Sequence, residues 1–201
     1  MRSVTLGLAL SLMAGPLVAQ ELERPSDWNV RYDRPSNDSL YFVTMTPGWH
    51  ITTGPSGIFY DPAKTAEGEY RVSSEIYLFP GERREGYGIF IGGNDLEADN
   101  QSYLYFLIRK DGRFIIKQRN GSDAPTITPW TEHAAIVKQD GDENAKNVLA
   151  VEVGDQKLSF YVNDQMVTSV PRSQLPTDGV VGLRVNHALN LHITNLNVEQ
   201  G

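Results

Sequence analysis

The sequence predicts an all-β chain, an antiparallel β-sandwich, and three observations carry that prediction. No extended segment shows a helical apolar period. Strand-like runs recur about every ten residues, separated by turn residues. The strongest turn signal, Asp111-Gly112, lies between two apolar-rich runs, as in a β-hairpin.

The elements follow in order. Gln20 to Ser39 is polar and turn-rich, an extended lead into a first strand at Leu40 to Met45. Pro47-Gly48 turns the chain into Trp49 to Thr53, which Gly54-Pro55 ends. Ile58 to Tyr60 is a short strand stopped by Asp61-Pro62. Gly68 to Phe79 alternates strictly: Tyr70, Val72, Ser74, Ile76 and Leu78 share one face, and Glu69, Arg71, Ser73, Glu75 and Tyr77 the other. Tyr87 to Gly92 is a glycine-spaced strand where a ligand or another backbone can approach closely. After the hairpin, Asn120 to Trp130 reads as a loop, and Thr131 to Val137 as a strand or a helical turn. A hydrophilic connection, Lys138 to Asn147, leads to strands at Val148 to Val153, Leu158 to Val162 and Met166 to Val170. Val180 to Val185 and Leu189 to Val198 close the chain. The apolar phase of the last segment shifts near Thr194-Asn195, which predicts a bulge.

The hairpin register decides which residues share a face. A type I turn with Gly112 in the left-handed position sets Arg109 opposite Arg113. One face is then Leu104, Phe106, Ile108, Phe114 and Ile116. The other is Tyr103, Tyr105, Leu107, Arg109, Arg113, Ile115, Lys117 and Arg119, which is aromatic and basic. A plain two-residue loop would put Phe106 and Lys117 on one face, which the apolar pattern disfavours.

Composition narrows the class. Met1 to Ala19 has a basic start at Arg2, an apolar stretch broken by Gly15-Pro16, and a small residue before Gln20. It reads as a signal peptide cleaved after Ala19, leaving one secreted or periplasmic sandwich domain, residues 20–201, with no membrane span. The 201-residue chain has no cysteine, so lipobox acylation, disulfides, thiolate nucleophiles and cysteine metal sites are excluded. Its formal net charge of -7 becomes one unit more acidic without Arg2, a poor match for nucleic acid or anionic lipid.

Five stretches resemble one superfamily: WHITTGPSGIFYDP from Trp49, EGYGIFIGG from Glu85, YLYFLIRKDGRFIIKQRNG from Tyr103, NVLAVEVGDQKLSFYVNDQMV from Asn147 and DGVVGLRVNHALNLHITNLNV from Asp178. Together they make the chain similar to the concanavalin A-like lectin/glucanase superfamily. Within it, the resemblance is to the laminin-G-like and 3-keto-disaccharide hydrolase domains of exported bacterial proteins. The resemblance implies a jelly roll of two curved sheets that binds or cleaves glycans on a concave face. Glucanases of this fold carry carboxylates at two-residue spacing on one strand, about 5 Å apart. That motif is missing here. Glu69 and Glu75 share a face but stand roughly 20 Å apart along a strand.

A sugar site needs aromatic planes for the pyranose face and planar polar groups for its hydroxyls. Tyr103, Tyr105, Arg109, Arg113, Lys117 and Arg119 supply these in one sheet, with Tyr77 and Glu75 as expected neighbours. Four cations favour an acidic oligosaccharide or polysaccharide. The competing reading is a solvated face, or one covered by the N-terminal segment. No catalytic residue is assigned. A hydrolase of the 3-keto-disaccharide type and a periplasmic protein-interaction domain stand as alternatives to a non-catalytic lectin-like domain. No cofactor is called for, and calcium has two candidate loops. Asp140, Asp142 and Asn144 begin a D-x-D-x-N pattern that fails at Ala145 and Val151. Asn94, Asp95, Glu97 and Asp99 form the other. His187 and His192 fall on opposite faces of a regular strand and do not chelate.

Overall fold

The structure, a computed structural model, describes residues 22–201, so the expected signal peptide lies outside the described residues. Every strand pairing in it is antiparallel. A seven-stranded sheet runs β1 (Asn29–Tyr32), β4 (Gly57–Ala66), β13 (Gly179–Val185), β6 (Tyr87–Asn94), β7 (Ser102–Arg109), β8 (Arg113–Asn120), β9 (Thr126–Glu132). An eight-stranded sheet runs β12 (Gln165–Pro171), β11 (Lys157–Val162), β10 (Ala145–Val153), β5 (Tyr70–Leu78), β14 (Leu189–Ile193), β3 (Trp49–Thr53), β2 (Leu40–Thr44), with β15 (Asn197–Gln200) also on β5. The expected sandwich is the one observed.

The hairpin has the expected register, Arg109 opposite Arg113, with Gly112 at φ 82° and its N–H donating to the Arg109 carbonyl at 3.0 Å. This places Leu104, Phe106, Ile108, Phe114 and Ile116 in the core between the sheets. There Phe106 meets Phe160 of the facing sheet, ring centroids 5.2 Å apart. Burying a side chain of this size contributes roughly 1.5–3 kcal/mol. The bulge near Thr194-Asn195 is also present: β14 and β15 pair with successive stretches of β5. Between them the Glu75 N–H donates to the Asn195 side chain at 3.1 Å.

Three elements differ from expectation. The segment before Leu40 contributes β1, an edge strand on β4. Pro62 does not end β4; the register of β13 slips there, so no ladder N–H is needed at that point. Thr126 to Glu132, read as mostly loop, is β9, and its Pro129 is tolerated because β9 is the outer edge of the sheet.

The central strands β13, β6 and β7 of the seven-stranded sheet are buried on both faces. The sheet's outward face carries a second apolar layer: Ile58, Tyr60, Phe90, Leu96, Tyr103, Tyr105, Leu107 and Ile115, with Trp130 and Val180 against them. Gly182 makes room for it, because a Cβ there would lie 2.4 Å from the Phe90 ring. The glycine thus admits a neighbouring side chain.

Candidate functional site

The outward face of the seven-stranded sheet gathers the six hairpin residues together, as their shared register requires. Their environments differ sharply. Tyr103 is 1% exposed and Tyr105 8%, so both are floor rather than platform. Burial raises the pKa of Tyr105 above its ordinary value, with Arg184 opposing. Arg109 donates from Nε to Asp111 Oδ1 at 2.7 Å and lies over the Trp130 ring at 4.4 Å. Arg113 and Lys117 are half-buried and form no ion pair among the described residues.

The centre of this face is held by two residues the sequence reading did not select. Arg184 projects from β13, is 7% exposed, and lies over the Tyr105 ring at 5.6 Å. Asp33, just past β1, accepts from it twice: from Nη1 to Oδ1 at 2.6 Å and from Nη2 to Oδ2. Arg119, on β8, donates to the same Oδ1 at 3.3 Å. Three strand spacings separate β13 from β8, about 14 Å if the sheet were flat. One carboxylate reaches both guanidinium groups because the two long arginine side chains converge on it from either side.

Electrostatics follow from that contact. Burial disfavours charge on Asp33, but the hydrogen bonds and charge of Arg184, with Arg119 and His187, outweigh it and hold its carboxyl below the ordinary value. Burial likewise opposes the charge on Arg184, and Asp33 more than restores it, so the guanidinium stays protonated. The Nε atoms of Arg184 and of Arg119 are buried without a partner among the described residues.

Two clefts flank the chain at Asp33. One, about 550 Å³, is lined by Asn29, Arg31, Arg34, Tyr60 and Glu97. The other, about 410 Å³, is lined by Asp33, Arg34, Ser36, Ser56 and His187. Arg31 braces the first by donating to the carbonyls of Leu96 and Ala98 at 2.6 and 2.8 Å, which pins the loop after β6 onto the sheet.

Glu75 and Tyr77 are not neighbours of the hairpin face. They lie on β5, pointing outward from the opposite sheet, with the whole core in between. Their alternation was legible, but the sheet to which β5 belongs was not. Glu75 pairs with Lys146 at 2.6 Å and accepts from Tyr77 and Thr194. The Lys146 bond, opposed next by burial and reinforced by the two hydroxyls, holds its carboxyl below the ordinary value. His192 sits on the same face with His50 and Tyr77, ring centroids 6.5 and 6.1 Å away.

In both acidic loops side chains are engaged within the chain. Glu97 accepts from Asn29 at 2.9 Å, Asp95 from Asn100 at 2.6 Å, and the Asn94 amide donates to Gly92 and Asp178. Asp140 caps the Gly141 N–H at 3.0 Å. Among the described residues no three His, Asp or Glu side chains are grouped to hold a metal ion.

No family model matches the sequence, and no curated protein matches it. Solved structures do match in fold. The carbohydrate-binding module CBM66 from Bacillus subtilis superposes with a TM-score of 0.65 at 14% identity, over 87% of this chain and 96% of that one. The carbohydrate recognition domain of Emp46p gives 0.57 at 12% identity, over 88% and 89%. The exoplasmic/lumenal domain of VIP36, in its Ca2+/Man-bound form, gives 0.59 at 10%, over 87% and 83%. The chain has the concanavalin A-like sandwich fold that its sequence resembles.

Proposed function

We propose that this chain is an exported, non-catalytic carbohydrate-binding domain that holds an acidic oligosaccharide on the outward face of its seven-stranded sheet. The observation that carries this reading is the convergence of Arg184, which lies over Tyr105, and Arg119 on the single carboxylate of Asp33, with Lys117 opposite Tyr105 in the hairpin register. Guanidinium groups held by packing offer paired donors to carboxylates and to sugar hydroxyls, and immobilising them costs little more on binding. Sharing the sandwich with carbohydrate-binding modules and lectins supports the same reading. Against hydrolysis, the carboxyls of Asp33 and Glu75 are both locked to cations and shifted down, whereas a general acid needs a raised pKa.

Burial of Tyr103 and Tyr105 favours a second reading, a periplasmic protein-interaction domain. The test is titration of the mature protein with matched neutral and acidic oligosaccharides, read by tryptophan fluorescence. Trp130, stacked on Arg109 at the rim, is the reporter. Saturable binding supports the first reading. No response from any glycan removes it in favour of the second.

A further inference from the structure

We infer that Arg184 and Arg119 form a carboxylate-binding subsite, which Asp33 fills as an internal stand-in until the carboxylate of a uronate-type glycan displaces it. The inference rests on the carbohydrate-binding reading and names the group recognised there.

The charge count is the first support. Arg184 and Arg119 share one carboxylate, and Lys117, directly opposite Tyr105 in the hairpin register, adds an ammonium with no ion pair among the described residues. Two guanidinium groups on one carboxylate leave donors and positive charge that a second anion can use. Among the described residues both arginines also keep a buried Nε–H without an acceptor. A sugar carboxylate brings adjacent ring and hydroxyl oxygens that Asp33 lacks, and these add acceptors for the Nη–H groups that Asp33 now holds.

The second support is how Asp33 is held. Its side chain keeps 29% exposure and borders the cleft that contains Ser36 and His187. It opens the connection between β1 and β2, and Arg34, Pro35, Asn37, Asp38 and Ser39 of that connection are exposed. The backbone at Asp33 is tied by its N–H to the Ser56 carbonyl at 3.0 Å, and Asp38 bonds within the segment to Ser36. Withdrawing the Asp33 side chain therefore breaks its ion pairs without unpairing β1 from β4 or β2 from β3.

The third support is the floor. Tyr105 underlies Arg184 and Tyr103 adjoins Tyr105, so the guanidinium is fixed from below and has no other carboxylate partner among the described residues. An incoming carboxylate meets a preorganised cation whose only competitor is intramolecular. That competitor lowers the apparent affinity by the fraction of molecules in which the subsite is open.

The experiment compares the wild type with Asp33→Asn, Arg119→Gln and the double variant. Each is titrated calorimetrically with tri-galacturonate, tri-glucuronate and neutral trisaccharides, and its melting temperature is followed in sodium acetate against sodium chloride. The expected result is that Asp33→Asn raises the ratio of acidic to neutral affinity about tenfold or more. Arg119→Gln should reverse the gain, and acetate should raise the melting temperature of Asp33→Asn more than that of the wild type. Glycan binding in the wild type with an unchanged or lower ratio in Asp33→Asn overturns the inference while the carbohydrate-binding reading stands. Acetate stabilisation of Asp33→Asn with no glycan bound by any protein keeps the carboxylate subsite and removes the glycan. Neither effect overturns both. If Asp33→Asn does not fold in chloride, recovery of folding in acetate supports the inference and failure to recover overturns it.

Discussion

Arg184 and Asp33 are 151 residues apart and are joined by two hydrogen bonds, one of them Nη1 to Oδ1 at 2.6 Å. The contact ties the N-terminal segment across the sheet to a strand near the end of the chain. Asp33→Ala leaves a guanidinium that is 7% exposed without its counter-ion. Breaking such a pair costs about 3–5 kcal/mol when fully buried, and about 1–3 kcal/mol is expected here because Asp33 keeps access to water. Urea unfolding measures it.

The same pair sets a pH dependence. Asp33 has its pKa lowered by folding, so its contribution is present above the unfolded-state value and is lost as pH falls through the folded one. Wild-type stability should decline progressively below about pH 4, and Asp33→Asn should decline less over that range. Urea midpoints measured between neutral and strongly acidic pH check the sign.

At Gly112 the backbone sits at φ 82°, and a Cβ would come within 2.5 Å of the Lys138 side chain. Gly112→Ala should destabilise by about 1–2 kcal/mol through backbone strain, since Lys138 is a flexible side chain that can give way. Thermal unfolding reads the cost.

Gly182→Ala tests the second apolar layer. The added methyl meets the Phe90 ring at 2.4 Å and the Phe59 carbonyl at 2.6 Å, and Phe90 packs on Tyr103 at 5.2 Å. Overpacking of this kind costs roughly 1–3 kcal/mol. The displaced ring should also loosen the tyrosine floor, visible as a changed near-ultraviolet circular dichroism signal.

The hairpin was legible because Asp111-Gly112 fixes the turn and one register alone gives an apolar inner face. The bulge at Thr194-Asn195 was legible from a phase change. The assignment of β5 to a sheet was not, because alternation says that a strand has two faces and not which sheet it joins; Glu75 and Tyr77 were misplaced for that reason. Burial of Tyr103 and Tyr105 had a readable signal: YLYFLI is apolar at every position, the mark of a strand covered on both faces. Arg184 had one too, a lone charge in the apolar strand GVVGLRV, which a fold tolerates only beside a counter-ion. Asp33 had none, since nothing in a polar turn-rich segment shows that one of its carboxylates reaches across a sheet.

The most direct test of the central claim is a fluorescence titration of residues 20–201 with matched acidic and neutral oligosaccharides, alongside Arg113→Ala and Lys117→Ala. The account predicts saturable binding that favours the acidic series. Each substitution should weaken it by about fivefold, the worth of one exposed charge contact. Absence of binding to every glycan, or equal binding of both series by all three proteins, would contradict it.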